Sequence, residues 1–190
     1  MTKNTRKTTL KIDEQFLERW SPRSFNRNKE VSREQLLSII EAARWAPSCF
    51  NDQPWLFIHA QGSRKEELMQ ILVPDNQSWA KDAPLLVFIA ARRNFKHNNK
   101  PNRHSSFDCG AAWMSLTLQA NKLGLHTHAM AGIDYEKGAK MLNLTEDQEL
   151  ICAVAIGYQG DGSNLNEKQK SLEQPNQRVE LNSILFEGSL

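Results

Sequence analysis

Two short stretches carry the residue types that act on a bound ligand. The first is Arg19-Trp20-Ser21-Pro22-Arg23-Ser24-Phe25, in which two arginines stand around a serine. A guanidinium presents a planar fork of donors that matches a phosphate or another anion. This spacing describes an anion-gripping turn, with a surface turn whose arginines pair with helix carboxylates as the competing reading. The second stretch is Ala46-Pro47-Ser48-Cys49-Phe50-Asn51-Asp52-Gln53-Pro54-Trp55. Two side-chain amides and two prolines in so short a span are more than a helix cap needs. Irregular backbone between a helix and a strand is also free to face a ligand.

Other constellations are poorer. His126 and His128 lie two apart on a predicted strand and share a face, so a metal pair is conceivable, yet no third ligand has fitting spacing. A nucleophilic Cys49 lacks an identifiable base. There is no Gly-x-Gly-x-x-Gly fingerprint, so a resident dinucleotide of the Rossmann kind is not expected.

The elements that must position these stretches follow from the hydrophobic pattern. Asp13 is placed to cap a first helix carrying Phe16, Leu17 and Trp20 on one face, ended by Ser21-Pro22. Ser32 with Gln35 forms a capping box, Val31 and Leu36 a hydrophobic staple, and Leu36, Leu37, Ile40 and Ala43 continue a helix that Ala46-Pro47 stops. Residues 54 to 60 read as a strand. Ser63 with Glu66 predicts a second capped helix through Leu72, closed by Pro74. Leu85 to Ala91 and Leu150 to Tyr158 are continuous apolar runs of the kind found in strands covered on both faces. Between them, Phe107 to Leu123 predicts a long core helix stopped by Gly124, then a strand from Leu125 to Met130 and a helix capped by Asp134. The basic, amide-rich stretch from Arg92 to Arg103 reads as a solvated loop or a lid. Residues 1–10 read as a loose tail. Beyond Gln159 the chain cannot build a core of its own, but Val179, Leu181, Ile184, Leu185 and Phe186 give it apolar anchors that need a partner surface.

The arginine turn and the Pro47-Ser48-Cys49-x-Asn51-x-Gln53-Pro54-Trp55 loop resemble the signature of the FMN-dependent nitroreductase family, and the likeness extends from about Phe16 to Phe186. The resemblance implies an α+β fold with a central mixed sheet flanked by helices, one FMN-binding domain over residues 1–190, and a tail over 160–190 that extends onto a dimer partner. It implies that Arg19, Trp20, Ser21 and Arg23 hold the phosphate, ribityl chain and pyrimidine edge of FMN, and that Pro47, Ser48, Cys49, Asn51 and Gln53 reach the flavin across the dimer interface. Cys49 stands where the family has serine, and Glu180 where its closing segment has proline. The resemblance also places Asn76 against the flavin's polar edge, the backbone of Ala131 and Gly132 toward its N5, and Arg178 on the phosphate. The implied function is hydride transfer from NAD(P)H through flavin N5 to a small acceptor such as a nitroaromatic or quinone, with no catalytic side chain and no metal. A different flavin reaction on the same scaffold, such as dehydrogenation, dehalogenation or flavin fragmentation, is the nearer alternative. A flavin-binding protein without turnover is the more distant one.

Composition narrows the classes. The 190 residues carry a net charge of +2 with no lysine-arginine block, which removes the electrostatic footprint of a nucleic-acid binder. Hydrophobic content of 39% and charged content of 24% are ordinary for a globular chain. The longest apolar run, Pro84 to Ala91, is far short of the roughly 20 residues that span a bilayer. Three widely spaced cysteines and a polar N-terminus lead to the expectation of a cytoplasmic protein.

Overall fold

The computed structural model describes residues 4–190. Its centre is a four-stranded sheet: β1 (Trp55–Ala60), β2 (Leu85–Arg92), β3 (His126–Met130) and β4 (Gln148–Gly157), in the order β1-β2-β4-β3. The two apolar runs become its central strands. Along β2, Leu85, Val87, Ile89 and Ala91 face one side and Leu86 and Phe88 the other, each almost wholly buried. A strand buried on both faces has no need of polar alternation.

All three strand pairings are antiparallel, so the sheet is not mixed as the sequence suggested. The reason lies in the connections. The long α5 (Ser105–Lys122) carries the chain from β2 over one face to β3, which runs parallel to β2 but does not touch it. The gap between them is filled by β4, antiparallel to both.

Helix α2 (Arg33–Arg44) packs with α5 on one face of the sheet, where Ile39, Ala43, Cys109, Ala112, Leu116 and Ala120 are sealed from solvent. The Ser32–Gln35 capping box is formed as expected. Gly124, at φ +72°, ends α5 in the left-handed conformation that glycine adopts without a Cβ penalty, and Leu125 N–H returns to Ala120 O at 2.9 Å. The other face is covered by α3 (Gly62–Leu68), α4 (Pro74–Ala80) and α6 (Tyr135–Met141), around Leu68, Ile71, Trp79 and Phe88. Asp134 caps α6 by accepting from Lys137 N–H at 2.9 Å.

Four local expectations change. Helix α1 is a single turn, Gln15–Glu18, and Trp20 lies beyond it in extended chain, buried instead against the body. Helix α3 begins at Gly62, ahead of the Ser63 cap, and its N-cap Gln61 sends its side chain away to Val31 O at 2.9 Å. Pro74 opens α4 instead of closing its predecessor, since the first helical position has no N–H partner to lose. The chain beyond Gln159 is held by its own body as far as α7 (Glu167–Ser171): Leu165 is buried, Asn164 binds Asp82, and Gln169 donates to Ser78 Oγ at 2.7 Å. Beyond it Val179, Leu181, Ile184, Leu185 and Phe186 are exposed.

Of the tail expected over residues 1–10, positions 1–3 lie outside the described residues. The rest has no helix or strand, yet Asn4 Nδ2 donates to Leu17 O at 3.0 Å and Arg6 reaches into the body. No helix among the described residues is long and apolar enough to cross a membrane.

Candidate active site

On the β3 edge the structure brings together most of the first predicted turn and the late arginine. A cavity of about 330 Å³ is lined by Arg19, Trp20, Ser21, Arg23 and Arg178, with Arg6, Trp113, His128, Gln174 and Asn176. Arg19 Nη1 donates to Ser21 Oγ at 3.3 Å, which orients the guanidinium across the turn. Pro22 O is held by His128 Nδ1 at 2.9 Å, and the His128 ring lies 4.6 Å from that of Trp79. Glu173 accepts from the backbone N–H groups of Arg23 and Ser24 at 2.8 and 2.9 Å, fixing the far side of the turn.

The electrostatics are one-sided. Among the described residues, no ion pair includes Arg6, Arg19, Arg23 or Arg178. Burial, and then the Arg178 charge, pulls the Arg19 guanidinium below its ordinary value. Glu173 spends its carboxylate on the backbone of the turn, so the guanidiniums have no ion-pair partner and make a site that an anion would complete. The competing reading, arginines paired with helix carboxylates, is not what the turn does.

The two histidines serve packing. Trp20 meets His126 edge-on with ring centroids 6.3 Å apart. Burial pushes His128 down to about 4, so it is neutral at pH 7. No three His, Cys, Asp or Glu side chains among the described residues are grouped to hold a metal ion.

At the end of β3, Asn76 and Gly132 meet. Asn76 Nδ2 donates to Gly132 O at 3.0 Å, and a Cβ on Gly132 would stand 2.6 Å from that nitrogen and 2.9 Å from Val73 Cγ2. A side chain here would have to displace Asn76 of α4 and Val73, the residue before it. Ala131 beside it is exposed.

The Pro47–Gln53 loop lies elsewhere. Its Ser48 Oγ accepts from Gln53 N–H at 3.0 Å, and Cys49 N–H donates to Asp108 Oδ2 at 3.2 Å. Phe50, Asn51 and Gln53 take φ of 53°, 53° and 51°, a left-handed cluster that is costly for side-chain-bearing residues and typical of functional loops. The 92–104 stretch packs on it: Lys96 N–H binds Asp52 Oδ1 at 2.8 Å, and Phe50 meets Phe95 and His97 at 5.8 and 5.4 Å between ring centroids. That stretch is thus neither free nor simply solvated.

Strand register gives the separation. Trp55, at the end of the loop, pairs with Ala91, which pairs with Glu149, whereas His128 beside the arginine turn pairs with Ala155. Three strand spacings separate the edges by about 14 Å, and the six residues from Glu149 to Ala155 add about 20 Å along the strands. The loop and the arginine cavity of one chain stand at diagonal corners of the sheet.

Sequence reasoning missed Arg6 and Asn176. Asn176 gives its Oδ1 to both Arg6 Nη2 and Arg178 Nη1, each at 3.0 Å. Nothing local in the sequence signals either residue, because their contact joins positions 170 apart.

The described fold is an antiparallel sheet with helices on both faces, carrying a basic cavity at one edge and a strained amide loop at the other, and the comparisons assign it to a family. Residues 17–75 and 65–158 match the model of the nitroreductase family, and the chain belongs to that family of oxidoreductases. A crystal structure described as an oxidoreductase containing FMN is 38% identical with a TM-score of 0.93, over 100% of this chain and 98% of that one. A putative NADH dehydrogenase/NAD(P)H nitroreductase of Archaeoglobus fulgidus is 26% identical over 74% of this chain and 81% of its own length. The CLA biosynthesis enone reductase of Lactiplantibacillus plantarum is 24% identical, over 73% and 81%.

Proposed function

We propose that this chain is an FMN-dependent oxidoreductase that moves a hydride from NADH or NADPH to a small conjugated acceptor such as a nitroaromatic or a quinone. The observation that carries the reading is the cavity whose guanidiniums, among the described residues, form no ion pair with a carboxylate. Its residues fit a phosphate-bearing group, and the similarity to a solved oxidoreductase containing FMN makes FMN the group of choice. When bound, the flavin supplies the redox chemistry, taking a hydride at N5 and passing electrons on.

Each protein group then has a role that its surroundings support. Arg19, Arg23 and Arg178 bind the anionic end, with Ser21 as a hydroxyl partner for Arg19. Trp20 and Trp113 wall the cavity and exclude water from one side. The backbone of Ala131 and Gly132 follows β3 on the same edge, where Asn76 fixes the Gly132 carbonyl so that the peptide N–H groups keep a set direction. Ser48, Asn51 and Gln53 act on the flavin bound by a second copy, because their own cavity lies at the opposite corner. A homodimer with two shared sites meets this requirement, and the exposed Val179 to Phe186 anchors offer it an apolar strap. The acceptor takes the hydride together with a proton from solvent water, so no side chain need act as acid or base. The similarity to a protein named for enone reduction favours activated alkenes among the acceptors. With Cys49, Cys109 and Cys152 free, a reducing, cytoplasmic setting suits the protein.

The test is the visible absorbance spectrum before and after anaerobic addition of NADPH, then NADH. A flavin spectrum bleached by either donor supports the reading. One that neither donor bleaches favours a binding protein without turnover, and a colourless protein that takes up no FMN removes the proposal.

A further inference from the structure

The basic cavity is closed by both ends of the chain. Arg6 Nη1 donates to Arg19 O and to Leu17 O, at 2.5 and 3.1 Å. Its Nε reaches Asn176 O at 2.8 Å and its Nη2 reaches Asn176 Oδ1 at 3.0 Å. Asn176 in turn accepts from Arg178 Nη1 through the same Oδ1. One guanidinium therefore ties the backbone that carries Arg19 to the residue that orients Arg178.

This arrangement opposes itself until an anion arrives. Burial, and then the Arg178 and Arg19 charges, pull Arg6 below its ordinary value, and Arg19 is lowered by burial and then by Arg178. Docking Arg6 thus adds positive charge to a cavity already rich in it. A bound dianion offsets that cost, so closure of the ends and anion binding favour each other.

Resting on the FMN reading above, we propose that Arg6 and Asn176 are positioning residues of the anion cavity, clasping the N- and C-terminal segments across it so that a phosphate-bearing ligand is held by both ends of the chain. Arg6 spends its donors on carbonyl and amide oxygens, so its role is to place Arg19 and Arg178, and a planar fork is what the role needs.

The test compares FMN with riboflavin, which lacks the phosphate, on the wild-type protein, Arg6→Ala, Arg6→Lys and Asn176→Ala. Removing the clasp is expected to weaken FMN binding by about tenfold or more while riboflavin binding stays within about twofold. Lysine keeps the charge but cannot bridge Arg19 O and Asn176 together, so Arg6→Lys should resemble Arg6→Ala. Hydrogen exchange should show FMN slowing residues 4–19 and 172–178 together in the wild type and not in Asn176→Ala. Unchanged FMN affinity in Arg6→Ala overturns the clasp. So does equal weakening of both ligands, which would mark a structural role, or full recovery in Arg6→Lys, which would mark a charge alone. If the wild type takes up no FMN, the proposed function fails and the clasp is judged on inorganic phosphate. Phosphate must then raise the melting temperature of the wild type more than that of Arg6→Ala, and an equal rise sinks it.

Discussion

At the β3 edge, guanidiniums from positions 6, 19, 23 and 178 are drawn together from both ends of the chain, whereas at the β1 edge one continuous loop, Pro47–Gln53, keeps three side-chain-bearing residues at positive φ. The first region stores unfavourable charge and the second stores backbone strain. Both costs are offset by the same rigid sheet, in which β2 and the second half of β4 are buried on each face. On the proposed function the two costs have different uses. Charge waits for an anion, and a strained loop holds amides in a direction that an unstrained one would not.

The largest effect is expected on the charged side. Arg19→Ala or Arg23→Ala should weaken FMN binding by about 10- to 100-fold, in line with loss of one charge-assisted contact. Flavin absorbance after gel filtration checks this, and full retention of FMN would sink the role given to these residues. Next comes pH. His128 has an ordinary value of 6.5 and is pushed to about 4 by burial, so the unfolded chain binds the proton first. Stability is fully present above pH 6.5 and is lost as pH falls toward 4, by up to roughly 3 kcal/mol in all. Urea unfolding between those pH values should show the decline, and His128→Asn should flatten it.

A smaller effect tests the join between Asn76 and Gly132. Gly132→Ala forces a Cβ into Asn76 Nδ2 and Val73 Cγ2, with an expected cost of about 1–3 kcal/mol. In thermal denaturation the cost should shrink when Asn76→Ala is present as well, since one of the two obstructions is then gone. The smallest belongs to the strained loop. Gln53→Gly relieves a left-handed residue and should stabilise the protein by about 0.5–1 kcal/mol, seen as a higher melting temperature. The same variant should load less flavin. A loop whose strain served nothing would gain stability at no cost in binding.

Much of this was legible in the sequence where the signal is local. The apolar runs became β2 and β4, Ser32 with Gln35 formed its box, Asp134 capped its helix, and Gly124 stopped α5. Local rules failed where distant contacts compete. Gln61 forfeited its cap role to reach Val31, and Pro74 began a helix because the chain turned at Val73. Helix α7 escaped notice, since its Asn166–Gln169 box lies in a polar stretch and its support comes from Ser78 on α4. In the site, the motif arginines were visible as types in a pattern, but Arg6 was not, because its partners are 13 and 170 positions away. The antiparallel order of the sheet was hidden for the same reason: each crossover reads alike in sequence, and only the insertion of β4 between β2 and β3 decides the direction.

On the proposed function, one site is built from the arginine cavity of one copy and the Pro47–Gln53 loop of another. The most direct test mixes copies carrying Arg19→Ala with copies carrying Gln53→Ala and purifies the mixed dimer by two different tags. If the sites are shared, one site combines the intact cavity with the intact loop, and at a flavin concentration where both parents load poorly the mixed dimer approaches half of the wild-type flavin and activity. If each site belongs to a single chain, every site in the mixed dimer carries a defect, and neither flavin nor activity returns.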